Sequence, residues 1–280
     1  MAARLTGCKR VVWGLRNSDI IFGGGISLSA FISMKICAIL SRSVPVKIFS
    51  VSECGKIFHI KQGYDKSKVI VIPNGFDVEK FSFSTEFRNK IRSEYKIPKD
   101  RIVVASFGRY NEYKDHATFF EVAKKLISTD HKFLFLMVGR DVNSSNKVLM
   151  RAIDNTGYAD HFLLLGESDR INELLCSVDI FCCHSKSEGF PNALGEAMSV
   201  GCLCVATDVG DTSILIGGGG ILVPPSDTLA LYEGVLRLAE MSAEEANKLR
   251  KAARRRIVEY FPNSLIVNRY GTAYDEVMNV

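Results

Sequence analysis

Short apolar or β-branched runs recur along the chain at 10–13, 46–51, 69–72, 102–107, 133–138, 162–165, 178–183, 203–206 and 221–223, and each reads as a buried strand. Between most of them lie stretches with apolar residues at helical spacing, at 117–127, 147–153, 191–200, 228–239 and 243–260. Strands alternating with helices predict a parallel sheet covered on both faces, a doubly wound α/β fold. Six strand candidates fall between Arg101 and Val223, as many as one complete dinucleotide-type domain holds, but only three precede Asn74. The stretch Ile72-Pro73-Asn74-Gly75-Phe76-Asp77 reads as the boundary, because Pro ends a strand, Asn-Gly permits positive φ and a polar stretch follows. The expected organisation is an incomplete front lobe over 1–78, a complete lobe over 79–262, and an amphipathic closing segment over 263–280 that packs back across the lobes.

The apolar stretch 26–40 is broken by Ser27, Ser29, Ser33 and Lys35, and is too short for the roughly 20 residues a bilayer span needs, so a buried or interfacial helix is expected. The glycine tract 217–220 reads as a flexible turn. With 47% hydrophobic and 24% charged residues among 280, the chain falls in the soluble globular class, which excludes disordered, collagen-like and low-complexity classes. Its net charge of +5 is too mild to point to nucleic acid. The distribution says more: residues 1–78 hold 11 basic and 4 acidic residues, the remainder 25 and 27. A basic front favours anionic partners such as phosphorylated lipids or an anionic membrane face. The eight cysteines lie mostly in apolar runs and none has C-x2-C spacing, so reduced thiols in a cytoplasmic protein are expected. The first residues lack an apolar core, so no secretory signal is expected.

The stretch from Ser185 to Met198 follows a buried strand and opens a helix, with Gly189 in the turn and Pro191 at the favoured first position. A helix start at the carboxyl end of a parallel strand offers free N–H groups and a positive dipole end, a ready phosphate site. Glu188 and Glu196 flank that start, spaced so that one carboxylate reaches a sugar and the other a neighbouring diol. On these two residues alone, a dipole-favouring acid and an ordinary surface Glu account for the pattern equally well. The stretch Ser106 to His116 also follows a strand, and brings Arg109 and Lys114 to the same sheet edge. Two cations and a helix dipole suit a diphosphate leaving group without metal, and no Asp-x-Asp is available to hold Mg²⁺. A solvated loop is the alternative for that pair.

The ordered motifs Val71 to Asp77, Gly108-Arg109 with Lys114-Asp115, Ser185-x-x-Glu188-Gly189-Phe190-Pro191-Asn192 through Glu196-Ala197-Met198, and Ala206-Thr207-Asp208-Val209-Gly210 resemble those of the retaining glycosyltransferases of family four, the group 1 transferases. The resemblance implies a GT-B fold of two Rossmann-like lobes, the front one incomplete here. It implies transfer from a UDP-, GDP- or ADP-sugar to a glycan or lipid-linked acceptor with retention and without a cofactor, in cell-surface polysaccharide synthesis at the inner face of the membrane. Under it Glu188 binds donor-sugar hydroxyls, Glu196 the ribose, and Arg109 and Lys114 the diphosphate beside Gly108. Backbone groups of Gly189, Phe190, Asn192 and Ala193 hold sugar and phosphate, while Gly139-Arg140 and Gly166-Glu167-Ser168 enclose the base. The family's glycine-rich loop after the first strand has no counterpart in 1–77, since Gly23-Gly24-Gly25 comes too late, and its front-lobe histidine is replaced by Arg16 and Asn17.

His184 beside the Glu motif reads as a hydrogen-bonded structural residue rather than a general acid, and His59, His116, His131 and His161 read as surface or loop residues. The basic run Arg250, Lys251, Arg254, Arg255 and Arg256 reads as a solvated helix face ahead of a lipid-phosphate site. Two rivals to transfer remain at this stage: a nucleotide-sugar-binding protein without turnover, degenerate or one half of a split enzyme, and a sugar-nucleotide epimerase on the same scaffold.

Overall fold

The computed structural model describes residues 6–16 and 28–279. Asn17 and Gly23 to Gly25 lie outside them. The front sheet has the parallel order β1 (Val12–Leu15), β2 (Lys47–Ser50), β3 (Val69–Val71). The first strand starts two residues later than the hydrophobic run suggests. Helix α1 (Leu28–Leu40) and helix α2 (Glu53–Lys61) follow β1 and β2. Ile48 and Val69 pack with Met34, Ala38 and Tyr64 on one face.

The second sheet runs β6 (Phe162–Leu164), β5 (Phe133–Val138), β4 (Ile102–Phe107), β7 (Ile180–Cys183), β8 (Leu203–Thr207), β9 (Ile221–Val223), all parallel. The strand order reverses between β4 and β7, and such switch points hold the ligands of doubly wound sheets at the strands' carboxyl ends. Helices α3 (Thr85–Glu94), α4 (His116–Thr129), α5 (Lys147–Asp154), α6 (Ile171–Ser177), α7 (Asn192–Val200), α8 (Thr212–Ile216), α9 (Thr228–Ala239) and α10 (Ala243–Tyr260) surround it. Their apolar faces enclose two large clusters, one around Phe181, Leu194 and Met198, the other around Phe119, Phe135 and Leu126. The chain then returns. Phe76 N–H donates to Phe261 O and Asn263 N–H to Phe76 O, and helix α11 (Asn263–Met278) lays Ile266 and Ala273 on Phe49 and Ile72 of the front sheet.

Several expectations need correction. Helices α2, α6 and α8 have no strong apolar period, and that of α3 is narrow: Phe87, Ile91 and Tyr95 pack on the core while the Arg88 and Arg92 guanidinium groups reach Asp179 at 2.6 and 3.3 Å. Pro191 is the residue before α7 rather than its first. The glycine tract is packed rather than free, since a Cβ on Gly219 would lie 2.7 Å from the Ala253 Cα. His59, His116 and His161 are buried, because Nδ1 of His59 and of His161 each finds a backbone carbonyl at 2.8 Å and aromatic rings surround all three. The basic run is a solvated face only at Lys251 and Arg255. Arg250 reaches Gly201 O, Arg254 donates to Phe81, Val78 and Ser199 carbonyls, and Arg256 reaches Ile214 O, so α10 is held on by its cations. All eight cysteines are free.

Candidate active site

The switch point gathers two loops. One leaves β4 through Gly108, passes a tight turn at 112–114 closed by the Asn111 side chain on Lys114 N–H, and enters α4 after Asp115. The other leaves β7 through His184 and enters α7 after Pro191. They are tied together: Lys186 N–H donates to Tyr113 O at 2.7 Å, and the Lys186 ammonium lies 3.2 Å from the Asp115 carboxylate. Beneath them Ser106 Oγ and His184 Nε2 share a hydrogen bond of 2.7 Å.

Lys114 is carried by this frame straight to Glu188, Nζ to Oε1 at 2.5 Å, and Ser185 Oγ donates to the same oxygen at 2.6 Å. Burial on its own lowers the Lys114 pKa, but the Glu188 charge and hydrogen bond outweigh it and the net shift is upward, so Lys114 stays a cation. Arg109 is exposed and close enough for its charge to oppose that of Lys114. Phe190 is buried between Phe76 and Phe261, so only its backbone is left to face a ligand. Gly189 is half-buried beside it, Ala193 packs against the core, and Asn192 Oδ1 accepts from Asn74 Nδ2 at 2.8 Å.

Glu196 lies one helical turn beyond Asn192, on a groove of about 380 Å³ shared with Asn74, Lys80 and Asn263. Burial pushes its pKa up to about 7, with the Lys80 charge opposing. Gly108, Gly139 and Gly166 close the ends of β4, β5 and β6, and Gly108 N–H donates to Val138 O while Gly139 N–H donates to Gly166 O. A Cβ on Gly139 would lie 2.1 Å from Gly108 O, so only glycine lets these turns stack. On that rim Arg140 Nε and Glu167 Oε1 pair at 3.2 Å, each side chain 66% exposed.

His184 is stacked on Phe119 at 4.5 Å, and burial drives its pKa down to about 3. It is a neutral structural residue at working pH. The arrangement therefore brings together Lys114, Glu188 and Arg109, sets Arg140 with Glu167 at the rim, and places Glu196 and Asn192 on the adjoining groove. Sequence reasoning missed Ser185, Lys186 and Asp115 as parts of this frame. Ser185 and Lys186 sat inside the quoted motif; Ser185 reaches Glu188 only three residues on, but the Lys186 partners Tyr113 and Asp115 are 73 and 71 residues away, beyond any local pattern.

Comparison with known proteins was decisive. The profile described as glycosyl transferases group 1 matches residues 87–256, more than half of the chain. The chain belongs to this family. It is 26% identical over 266 residues to the Escherichia coli UDP-Gal:alpha-D-GlcNAc-diphosphoundecaprenol alpha-1,3-galactosyltransferase, covering 93% of the chain and 67% of that protein. With N-acetyl-alpha-D-glucosaminyl L-malate synthase of Bacillus anthracis it shares 26% over 193 residues, which is 68% of the chain and 49% of the enzyme. The chain thus spans between about half and two thirds of the length of these two relatives. Anabaena Alr3699/HepE, solved in complex with UDP and glucose, superposes with a TM-score of 0.87 at 20% identity, over 98% of the chain and 73% of HepE. That likeness establishes the two-lobe GT-B fold for this group 1 transferase, with three strands in the front sheet against six in the back among the described residues.

Proposed function

We propose that the chain binds a nucleoside-diphosphate sugar at the β4/β7 switch point and passes the sugar, with retention, to a glycan or lipid-linked acceptor in cell-surface polysaccharide synthesis. The observation that carries this reading is the Lys114–Glu188 pair at the entrance to α7, a cation and a carboxylate held where a helix start offers N–H groups to phosphate. In the reaction the Lys114 and Arg109 charges and the α7 amides stabilise the departing diphosphate. The acceptor hydroxyl attacks the face the diphosphate leaves, and a diphosphate oxygen takes its proton. Glu188 then holds sugar hydroxyls, exchanging part of its bond to Lys114 for them, and Glu196 holds the ribose diol. Arg140 and Glu167 frame the base, and no metal is required.

One relative's name supports a lipid-linked acceptor, the E. coli protein acting on a GlcNAc-diphosphoundecaprenol, and HepE, solved with UDP, supports a nucleoside-diphosphate donor. A cytoplasmic location with peripheral membrane contact fits that acceptor and the basic front segment. Among the described residues, no helix is long and apolar enough to cross a membrane. A second reading, nucleotide-sugar binding without turnover, is favoured by one observation, the three-stranded front sheet. Incubation with labelled UDP-, GDP- and ADP-sugars and a polyprenyl-diphosphate-linked sugar separates them: glycosylated acceptor plus free nucleotide supports transfer, and donor binding without either product supports the second reading. Transfer should persist in EDTA.

A further inference from the structure

Asp211 precedes α8, the usual place for a capping side chain, yet its carboxylate makes no bond to that helix. It crosses to the front segment instead. Its two oxygens accept the N–H groups of Glu53 and Cys54, at 2.6 and 2.9 Å, at the start of α2. The residue is only 4% exposed, so while α2 is docked a carboxylate there needs those donors. The helix dipole adds to the attraction.

The same turn is wedged against the donor loop. Asp211 N–H donates to Gly189 O at 3.0 Å, and Gly210, at φ +57, lies so close that a Cβ would meet Glu188 O at 1.9 Å. Cys54 Sγ touches Gly189 O at 3.7 Å from the other side. Helix α2, the 209–212 turn and the 188–189 peptides form one stack.

We propose that Asp211 is a positioning residue that couples the docking of the front segment to the placement of Glu188. The part of the inference that concerns the sugar rests on the reading of Glu188 given above. When α2 is docked, the Glu188 carboxylate is set for the sugar; when it is not, the loop is free to shift while Lys114 and the α7 amides still hold the diphosphate. Loss of the latch therefore weakens a sugar-bearing donor more than the bare nucleotide.

The test compares wild type, Asp211→Ala and Asp211→Asn, which keeps one acceptor oxygen, in the full 280-residue chain. Amide exchange of the peptide spanning 185–190 should quicken about tenfold or more in Asp211→Ala and less in Asp211→Asn, although the Asp211 N–H bond to Gly189 is kept in both. Calorimetry should show UDP-glucose affinity falling at least about fivefold while UDP stays within about twofold. Unchanged exchange at 185–190 in both variants overturns the coupling, and so does an equal loss for UDP and UDP-glucose. If Asp211→Ala does not fold, Asp211→Asn carries both measurements. If wild type binds GDP or ADP rather than UDP, the same comparison is made with that nucleotide and its glucose ester; failure to bind any of the three sinks the donor-site reading instead, and the exchange result then judges the latch by itself.

Discussion

The six-stranded lobe encloses side chains as large as Phe119, Phe135 and Phe181 completely, on both faces of its sheet. The three-stranded front closes one face over Ile48, Val69 and Met34, and owes part of the other to α11, whose Tyr270 and Tyr274 set their rings edge-on to Phe49. Its helix α1 leaves Leu28, Ile32, Ile36 and Ile39 on the outside, a stripe at helical spacing. The contrast bears on function, because the groups assigned to the donor all stand on the rigid lobe, where packed strands fix the loops they support. Among the described residues the front meets that lobe through Asp211 with α2, Phe76 with Phe261, and Asn74 with Asn192.

Core truncation should separate the two regions most sharply. Phe119→Ala removes a fully buried ring and should cost about 3–5 kcal/mol, melting the six-stranded lobe as a unit. Ile48→Ala, equally buried, should strip amide-exchange protection from β1–β3 while leaving β4–β9 protected. Loss of protection in both sheets from Ile48→Ala would show that the chain is one cooperative unit. A smaller effect is expected at α10: Arg254→Ala should lower stability by about 1.5–3 kcal/mol in urea titration, since it strands buried carbonyls, while Arg255→Ala at an exposed position should stay within about 0.5 kcal/mol.

The smallest effect concerns pH. Glu196 titrates near 7 in the folded protein against a reference of 4.5, so it binds a proton that the unfolded chain has already released. Its contribution to stability is full below the unfolded value and is lost as pH rises toward 7. Ribose hydroxyls donate to the ionised form, so nucleotide affinity should be level above about pH 7 and fall below it, by at most about tenfold per unit. Glu196→Gln should flatten that dependence, as followed by calorimetry between pH 5.5 and 8. A wild-type profile that is already flat would remove Glu196 from the ribose.

The sheets were legible because fully buried parallel strands leave continuous apolar runs, and all nine expected runs appear among the observed strands. Helix α3 was not, because its apolar stripe is one residue per turn, Phe87, Ile91 and Tyr95, set among charged neighbours of which Arg88 and Arg92 meet Asp179. Burial of His59 and His161 escaped notice for a related reason: a histidine's ring can be enclosed once one nitrogen finds a carbonyl, and no local pattern announces the partner. In the site, motif and topology pointed Glu188 and Lys114 to one sheet edge, where the two side chains meet. Their direct contact, and the Asp211 bridge to α2, join residues 74 and 158 positions apart and needed the fold to be seen.

The most direct test of the account is calorimetric titration of UDP, with GDP and ADP alongside, into the wild-type chain and Lys114→Ala. If Lys114 meets the diphosphate, one of these nucleotides binds the wild type and the variant loses about 30- to 150-fold, the equivalent of a charged hydrogen bond of roughly 2 to 3 kcal/mol. Equal affinity in the two proteins would contradict a diphosphate site built on the Lys114–Glu188 pair.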